Sequence, residues 1–141
     1  MPVTGIQFVR NFSPNELLFQ NAENNAHNRY VPAPGPTPLP PPGSSPSPSP
    51  GVAEVGDCWV PWCSSIEDFP RRMITILSMP SQKVLGYIWQ DHDSNEDRVR
   101  YSRTGWSEPS GSNIIHGESS VGIKINLTVE VDGSIRAERY S

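Results

Sequence analysis

A single-domain, all-β antiparallel β-sandwich of about seven or eight short strands is what three observations predict. A small closed β-barrel is the alternative. First, residues 123–131 (IKINLTVEV) place an apolar residue at every odd position and a polar one at every even position, so one face is core and the other is water. Second, helical spacing with caps is missing along the 141 residues, whereas short β-branched and aromatic runs recur between turn residues. Third, ten of the nineteen residues at 32–50 are proline, and this tract splits a chain whose two flanks both read as strand. The leading flank, residues 1–31, falls below the roughly 40 residues a chain needs to hold a core without disulfides, metals or partners. Its apolar residues are therefore expected to pack onto residues 51–141, with 32–50 as a long surface loop of the same domain. A detachable or exchanged front arm is the competing expectation, since loops of that length are uncommon inside compact domains.

Each element has its own justification. Residues 5–12 and 16–21 form a candidate strand pair around Ser13-Pro14-Asn15, where proline suits the turn. Residues 72–77 and 83–90 are two further runs, separated by the turn-forming segment 78–82. Residues 98–102 (RVRYS) alternate, which places Val99 and Tyr101 inward and the arginines outward. The run 123–131 turns at Asp132-Gly133 and returns through residues 134–140. A three-residue loop, 132–134, keeps the apolar set on one face by pairing Val131 with Ile135 and Val129 with Ala137. Ser64, with Glu67 three residues on, caps one helical turn that Pro70 stops.

Composition excludes several classes. With 11 basic against 15 acidic residues and formal net charge −4, the chain has no basic stripe, and nucleic acid is not an expected partner. No window reaches the roughly 20 apolar residues of a membrane-spanning helix, and residues 1–5 have neither the basic nor the apolar region of an export signal. A soluble chain is expected, either cytoplasmic or exported without a classical signal peptide. The proline tract favours polyproline II. As a ligand for another protein's aromatic groove it lacks the flanking residues: the position three after Pro32 is Gly35, and Pro40-Pro41-Pro42 ends at Gly43.

Two segments invite metal or redox chemistry. On a straight strand, Cys58 and Cys63 lie about 16 Å apart, beyond the Cα separation of about 4.4–6.8 Å that a disulfide requires. Pro61 between them bends the chain, so a Cys58–Cys63 disulfide around a Trp-Val-Pro-Trp tip is one expectation. Two buried thiols are the other. As a zinc site the pair lacks partners, because nothing places His27, His92 or His116 nearby. The run Asp91 to Asp97 begins as a calcium loop should, with oxygen ligands at alternating positions. Asp91, Asp93, Asn95 and Asp97 are the candidate ligands of a Ca²⁺ site outside the EF-hand pattern, since Glu96 and Ser102 replace the turn glycine and the closing carboxylate. Otherwise the run is an acidic hairpin tip, and no cofactor is expected.

Catalysis is not expected either. Glu118-Ser119-Ser120-Val121-Gly122 resembles a nucleophile elbow only loosely and precedes a strand, and His116 is near Ser119 in sequence alone. Asn126-Leu127-Thr128 is a glycosylation sequon on the outward face. The remaining signal is aromatic. Trp59, Trp62, Trp89 and Trp106 all follow the proline tract, and indoles in loops beside Asn, Asp, Arg and Ser suit a shallow amphipathic ligand such as a sugar. Trp106, Glu108 and Asn113, with Trp59 or Trp62 beside them, are the expected binding residues. In the alternative arrangement Trp89 is core and the others cap the sandwich ends. The broad look is similar to small β-sandwich lectins and cytolysin-like modules, a resemblance of class that implies glycan or lipid binding without identifying either. A non-enzymatic, lectin-like module with a glycan or glycoconjugate partner is the expectation. A lipid-membrane surface and self-association into an oligomer through an unpaired edge or the front arm are the alternatives.

Overall fold

The alternating runs all become strands, and three further strands join them. In the computed structural model, which describes residues 4–35, 49–91, 97–108 and 110–140, the strands are β1 (Gly5–Asn11), β2 (Leu17–Asn21), β3 (Arg29–Val31), β4 (Gly51–Trp59), β5 (Ile74–Ser78), β6 (Lys83–Asp91), β7 (Arg98–Ser102), β8 (His116–Gly117), β9 (Lys124–Val129) and β10 (Ile135–Arg139). They make two five-stranded sheets, ordered β4-β1-β9-β10-β8 and β3-β2-β5-β6-β7. Neither sheet closes into a barrel, and the architecture is an all-β sandwich. Pairing is antiparallel except between β1 and β9 and between β10 and β8. Strand β1 lies between β4 and β9, so residues before the proline tract are central to the first sheet. An antiparallel bridge between Gly35 and Ser49 closes the base of the proline tract. Residues 36–48 lie outside the described residues, and with them Pro40, Pro41 and Pro42 of the groove-ligand reading. Among the described residues, no helix is long and apolar enough to cross a membrane.

The inner faces meet in a continuous apolar core. Ile6, Val9, Leu17, Phe19, Ile74, Ile76, Ile88, Val99, Ile125, Leu127, Val129 and Ile135 are all buried there, and each such side chain is worth about 1.5–3 kcal/mol relative to exposure. The β9–β10 hairpin differs from expectation by two residues. Val129 pairs with Ile135 and Leu127 with Ala137, and the loop is Val131 to Gly133, closed by Glu130 N–H donating to Ser134 O. Gly133 takes φ +87°, the left-handed position that such three-residue loops reserve for glycine. A shift of two preserves the faces, and its consequence is confined to Val131, which is 72% exposed.

The second sheet is covered on both faces. Outside it, Trp89, Phe69 and Cys63 form a separate small cluster with Met73, Tyr87 and Trp106 against them. Phe69 meets Trp89 edge-on at 5.2 Å, a favoured aromatic geometry. Beside this cluster lies a buried ion pair, and it corrects the outward placement of the β7 arginines. Arg100 is 2% exposed and Asp91 0%, with Nε donating to Asp91 Oδ1 at 2.9 Å. Arg100 faces away from Val99, as alternation requires, but the loop after β7 folds over that face. The short helical turn also moves: the 3-10 turn is Phe69–Arg71, with Pro70 inside it, where its missing N–H costs nothing.

Removing one partner of the ion pair leaves a buried charge. Arg100→Ala is expected to lower unfolding free energy by about 3–5 kcal/mol, while the double replacement Arg100→Met, Asp91→Leu costs far less; urea denaturation of both variants measures the difference.

Candidate functional site

One end of the sandwich is shaped by asparagine. Segment 21–28 (NAENNAHN) follows β2 and carries no large apolar residue, so side-chain hydrogen bonds must hold it. Buried Asn21 donates from Nδ2 to Cys58 Sγ and to Trp59 O, both at 3.1 Å. Its Oδ1 accepts from the backbone of Glu23 at 2.9 Å and of Asn24 at 3.2 Å. Asn28 Oδ1 accepts from Asn21 N at 2.8 Å, closing the segment, and Asn24 caps the 3-10 turn Asn25–His27 through Ala26 N. These are the local bonds for which Asn is favoured in turns.

Opposite this segment β4 bulges. Its register against β1 jumps from Ile6↔Cys58 to Phe8↔Glu54, and Gly56 and Asp57 take φ +64° and +62°. Glycine adopts that conformation freely; an aspartate pays for it. Gln7 Nε2 donates to Asp57 Oδ1 at 2.8 Å, and the carboxylate lies over Gly5, where a Cβ would approach Oδ1 to 2.3 Å. His27 Nδ1 lies 2.9 Å from Val55 O; because a carbonyl only accepts, Nδ1 carries a proton and donates it there. Between segment and bulge opens a cleft of 520 Å³, edged by Glu23, His27, Asp57 and Trp59. The Trp59 indole is 60% exposed.

The other expected binding residues are placed differently. Trp106, expected as a binding residue, is half-buried and packs against Phe69 at 5.8 Å and Trp89 at 5.6 Å, so that its ring covers the outer cluster. Asn113 is corrected likewise. Its Nδ2 donates to Ser107 Oγ and Glu108 O, and its Oδ1 accepts from Ser110 N and Arg100 Nη1, so the amide is consumed in holding its own loop. Glu108 is exposed on that loop. Trp62 is half-buried beside β6, bridged to Gln90. The structure thus sets Trp106 on the outer cluster and Trp62 beside β6. It joins Trp59 instead to the 21–28 segment, whose signal was the density of asparagine, four in eight residues.

The disulfide expectation is corrected as well. Cys58 lies in the last two residues of β4 in the first sheet, but the chain then crosses to the second: Val60 N–H donates to Thr4 O, Gln90 N–H to Pro61 O and Cys63 N–H to Gln90 O. Cys58 lies in the main core and Cys63 in the outer cluster, and both thiols are free and buried. Burial pushes the Cys58 thiol from 9.0 up to about 11, against the Asn21 hydrogen bond and the Arg29 charge. Burial raises Cys63 too.

Of the calcium candidates, Asp93 and Asn95 lie outside the described residues. Asp91 is corrected from loop ligand to core residue, since its oxygens accept from Arg100 and, at 3.3 Å, from Trp89 Nε1. Asp97 is partly buried at the start of β7. No group of three or more His, Cys, Asp or Glu is placed to hold a metal among the described residues. The sequon faces outward from the first sheet but is covered: Asn126 is 7% exposed, and buried Thr128 donates to Glu138 at 3.1 Å. Hydrogen bonding from Ser120 lowers the Glu118 carboxyl, and His116 sits on the edge strand β8, paired with Arg136.

Because Cys58 holds its proton more tightly when folded, its contribution is complete below pH 9 and is lost as pH rises to about 11. It is expected to remove about 2–3 kcal/mol over that range. Denaturant titrations at both ends, compared with Cys58→Ser, isolate this limb, and neither thiol is expected to be alkylated in the folded chain at pH 8. Comparison of the chain with protein-family models, with curated proteins and with solved structures found no match.

Proposed function

We propose that this chain is a non-enzymatic binding module and that its ligand is a carbohydrate held in the Trp59 cleft. The observation that carries this reading is the exposed indole edging a 520 Å³ cleft beside two carboxylates and an imidazole. A sugar ring has an apolar C–H face and a rim of hydroxyls. An indole receives the first, and fixed polar groups receive the second. An exposed tryptophan wastes apolar burial unless something covers it, and the neighbouring elements are built to hold this one in place: its carbonyl is fixed by Asn21, and the bulge before it by Gln7. The cleft lies at one end of a β-scaffold, where loops vary without disturbing the sheets.

A glycan array followed by tryptophan-fluorescence titration tests the reading. Trp59→Ala is expected to weaken binding at least tenfold, about 1.4 kcal/mol, without loss of stability. Trp106→Ala is expected to do the reverse, lowering stability by about 3–5 kcal/mol through the cavity left beside Trp89. A blank array together with binding to phosphatidylcholine vesicles through Trp59 would transfer the cleft to a lipid headgroup.

A further inference from the structure

Resting on the carbohydrate reading, we infer that the saccharide this cleft takes carries a free amine, protonated when bound. The argument is one of complementarity. Glu23 and Asp57 are carboxylates, which only accept hydrogen bonds, and His27 has its Nδ1 proton committed to Val55 O. Asn21 has its donors and its acceptor engaged within the fold, so its amide is not available to read a ligand. The two carboxylates therefore call for donors from the ligand; the cleft's own remaining amide is Asn24, whose Oδ1 is held by Ala26 N. A hydroxyl donates once; an ammonium donates three times and carries charge.

Electrostatics point the same way. Among the described residues no lysine or arginine edges the cleft. Arg29, which follows segment 21–28, is turned to the carbonyls of Ala26 and Asn28 at 2.9 and 2.8 Å. Two carboxylates beside an exposed indole face suit a cation, which the ring quadrupole also attracts. The net charge of −4 brings cations toward the protein from a distance. Asp57 is fixed in place: its Oδ1 is held by Gln7, which leaves Oδ2 for the ligand, in a backbone conformation that an aspartate adopts only at a cost. An N-acetyl or neutral sugar would stack equally well on Trp59 but would leave these carboxylates without a cationic partner.

The test compares glucosamine oligosaccharides with their N-acetylated counterparts, titrated against the full chain by calorimetry at 50 and 500 mM NaCl. The free-amine oligomer is expected to bind at least tenfold more tightly at low salt, and the difference is expected to shrink at high salt. Asp57→Asn is the diagnostic variant, because asparagine tolerates the left-handed conformation and keeps the Gln7 hydrogen bond while losing the charge. It is expected to erase most of the preference, as is Glu23→Gln on the exposed segment. Equal affinity for the two oligomers, abolished by Trp59→Ala, overturns the amine inference and leaves the carbohydrate reading standing. Absence of binding by either oligomer, with a blank glycan array, overturns both. A preference that survives both charge-removing variants overturns the placement of the amine in this cleft.

Discussion

The covering of the second sheet depends on the ion pair between Asp91 and Arg100. Neither group reaches water, and a charge taken from water costs several kcal/mol unless its partners are all in place. Arg100 finds them in three directions: Nε on Asp91, and Nη1 on Ser110 O at 2.8 Å and on Asn113 Oδ1 at 3.2 Å. Asn113 is in turn held by Ser107, Glu108 and Ser110. The loop after β7 is therefore tied across the outside of the sheet, and Trp106 comes to rest on Trp89 and Phe69 as a consequence. Such a pair adds little net stability over apolar residues of the same size. Its effect is on specificity, because displaced positions of this loop would strand a buried guanidinium.

A second polar joint fixes the crossing between sheets. Gln90 is buried, yet its backbone N–H and C=O bond to Pro61 and Cys63, its Nε2 to Val60 O at 2.6 Å, and its Oε1 to Thr4 Oγ1 at 2.8 Å. Thr4 Oγ1 also accepts from Gly122 N. Residues 60–63 are thereby pulled from the first sheet onto the second, which separates the two cysteines and turns Trp62 toward β6. Asn21 performs the corresponding task at the cleft, joining the end of β2 to Cys58 and Trp59 of β4. Fully satisfied buried amides of this kind rigidify what they join.

The sheets were largely legible in the amino-acid pattern, and the site was not, for physical reasons visible in particular residues. Period-two alternation reveals which residues share a face, so Ile125, Leu127 and Val129 were assigned together correctly. It does not reveal where a hairpin turns, and Val131 was drawn into the strand by its apolar side chain when the loop needed it outside. Nor does alternation say that the second face is wet. In β7 the polar set, Arg100 included, is covered because a loop supplies its hydrogen bonds, and that coverage is written in Ser110 and Asn113, ten and thirteen residues away. Tryptophan content alone does not distinguish Trp59, which projects, from Trp106, which covers the outer cluster. Strand β4 escaped notice because Gly56-Asp57 interrupts its pattern, and segment 21–28 because it has no apolar period at all.

Those two interruptions meet at the same place, and their meeting is the strongest physical reason to look there. At the cleft three departures from local preference meet: an aspartate occupies a left-handed conformation, its carboxylate rests where a side chain at position 5 would lie, and a large indole is left 60% exposed. Each departure costs a little stability alone. All three are adjacent, and each alters the same opening: the bulge turns Asp57 toward it, Gly5 admits the carboxylate, and Trp59 forms its edge. Departures from local preference are expected at functional or strained sites, and it is on their meeting here that the proposed binding role of the cleft rests.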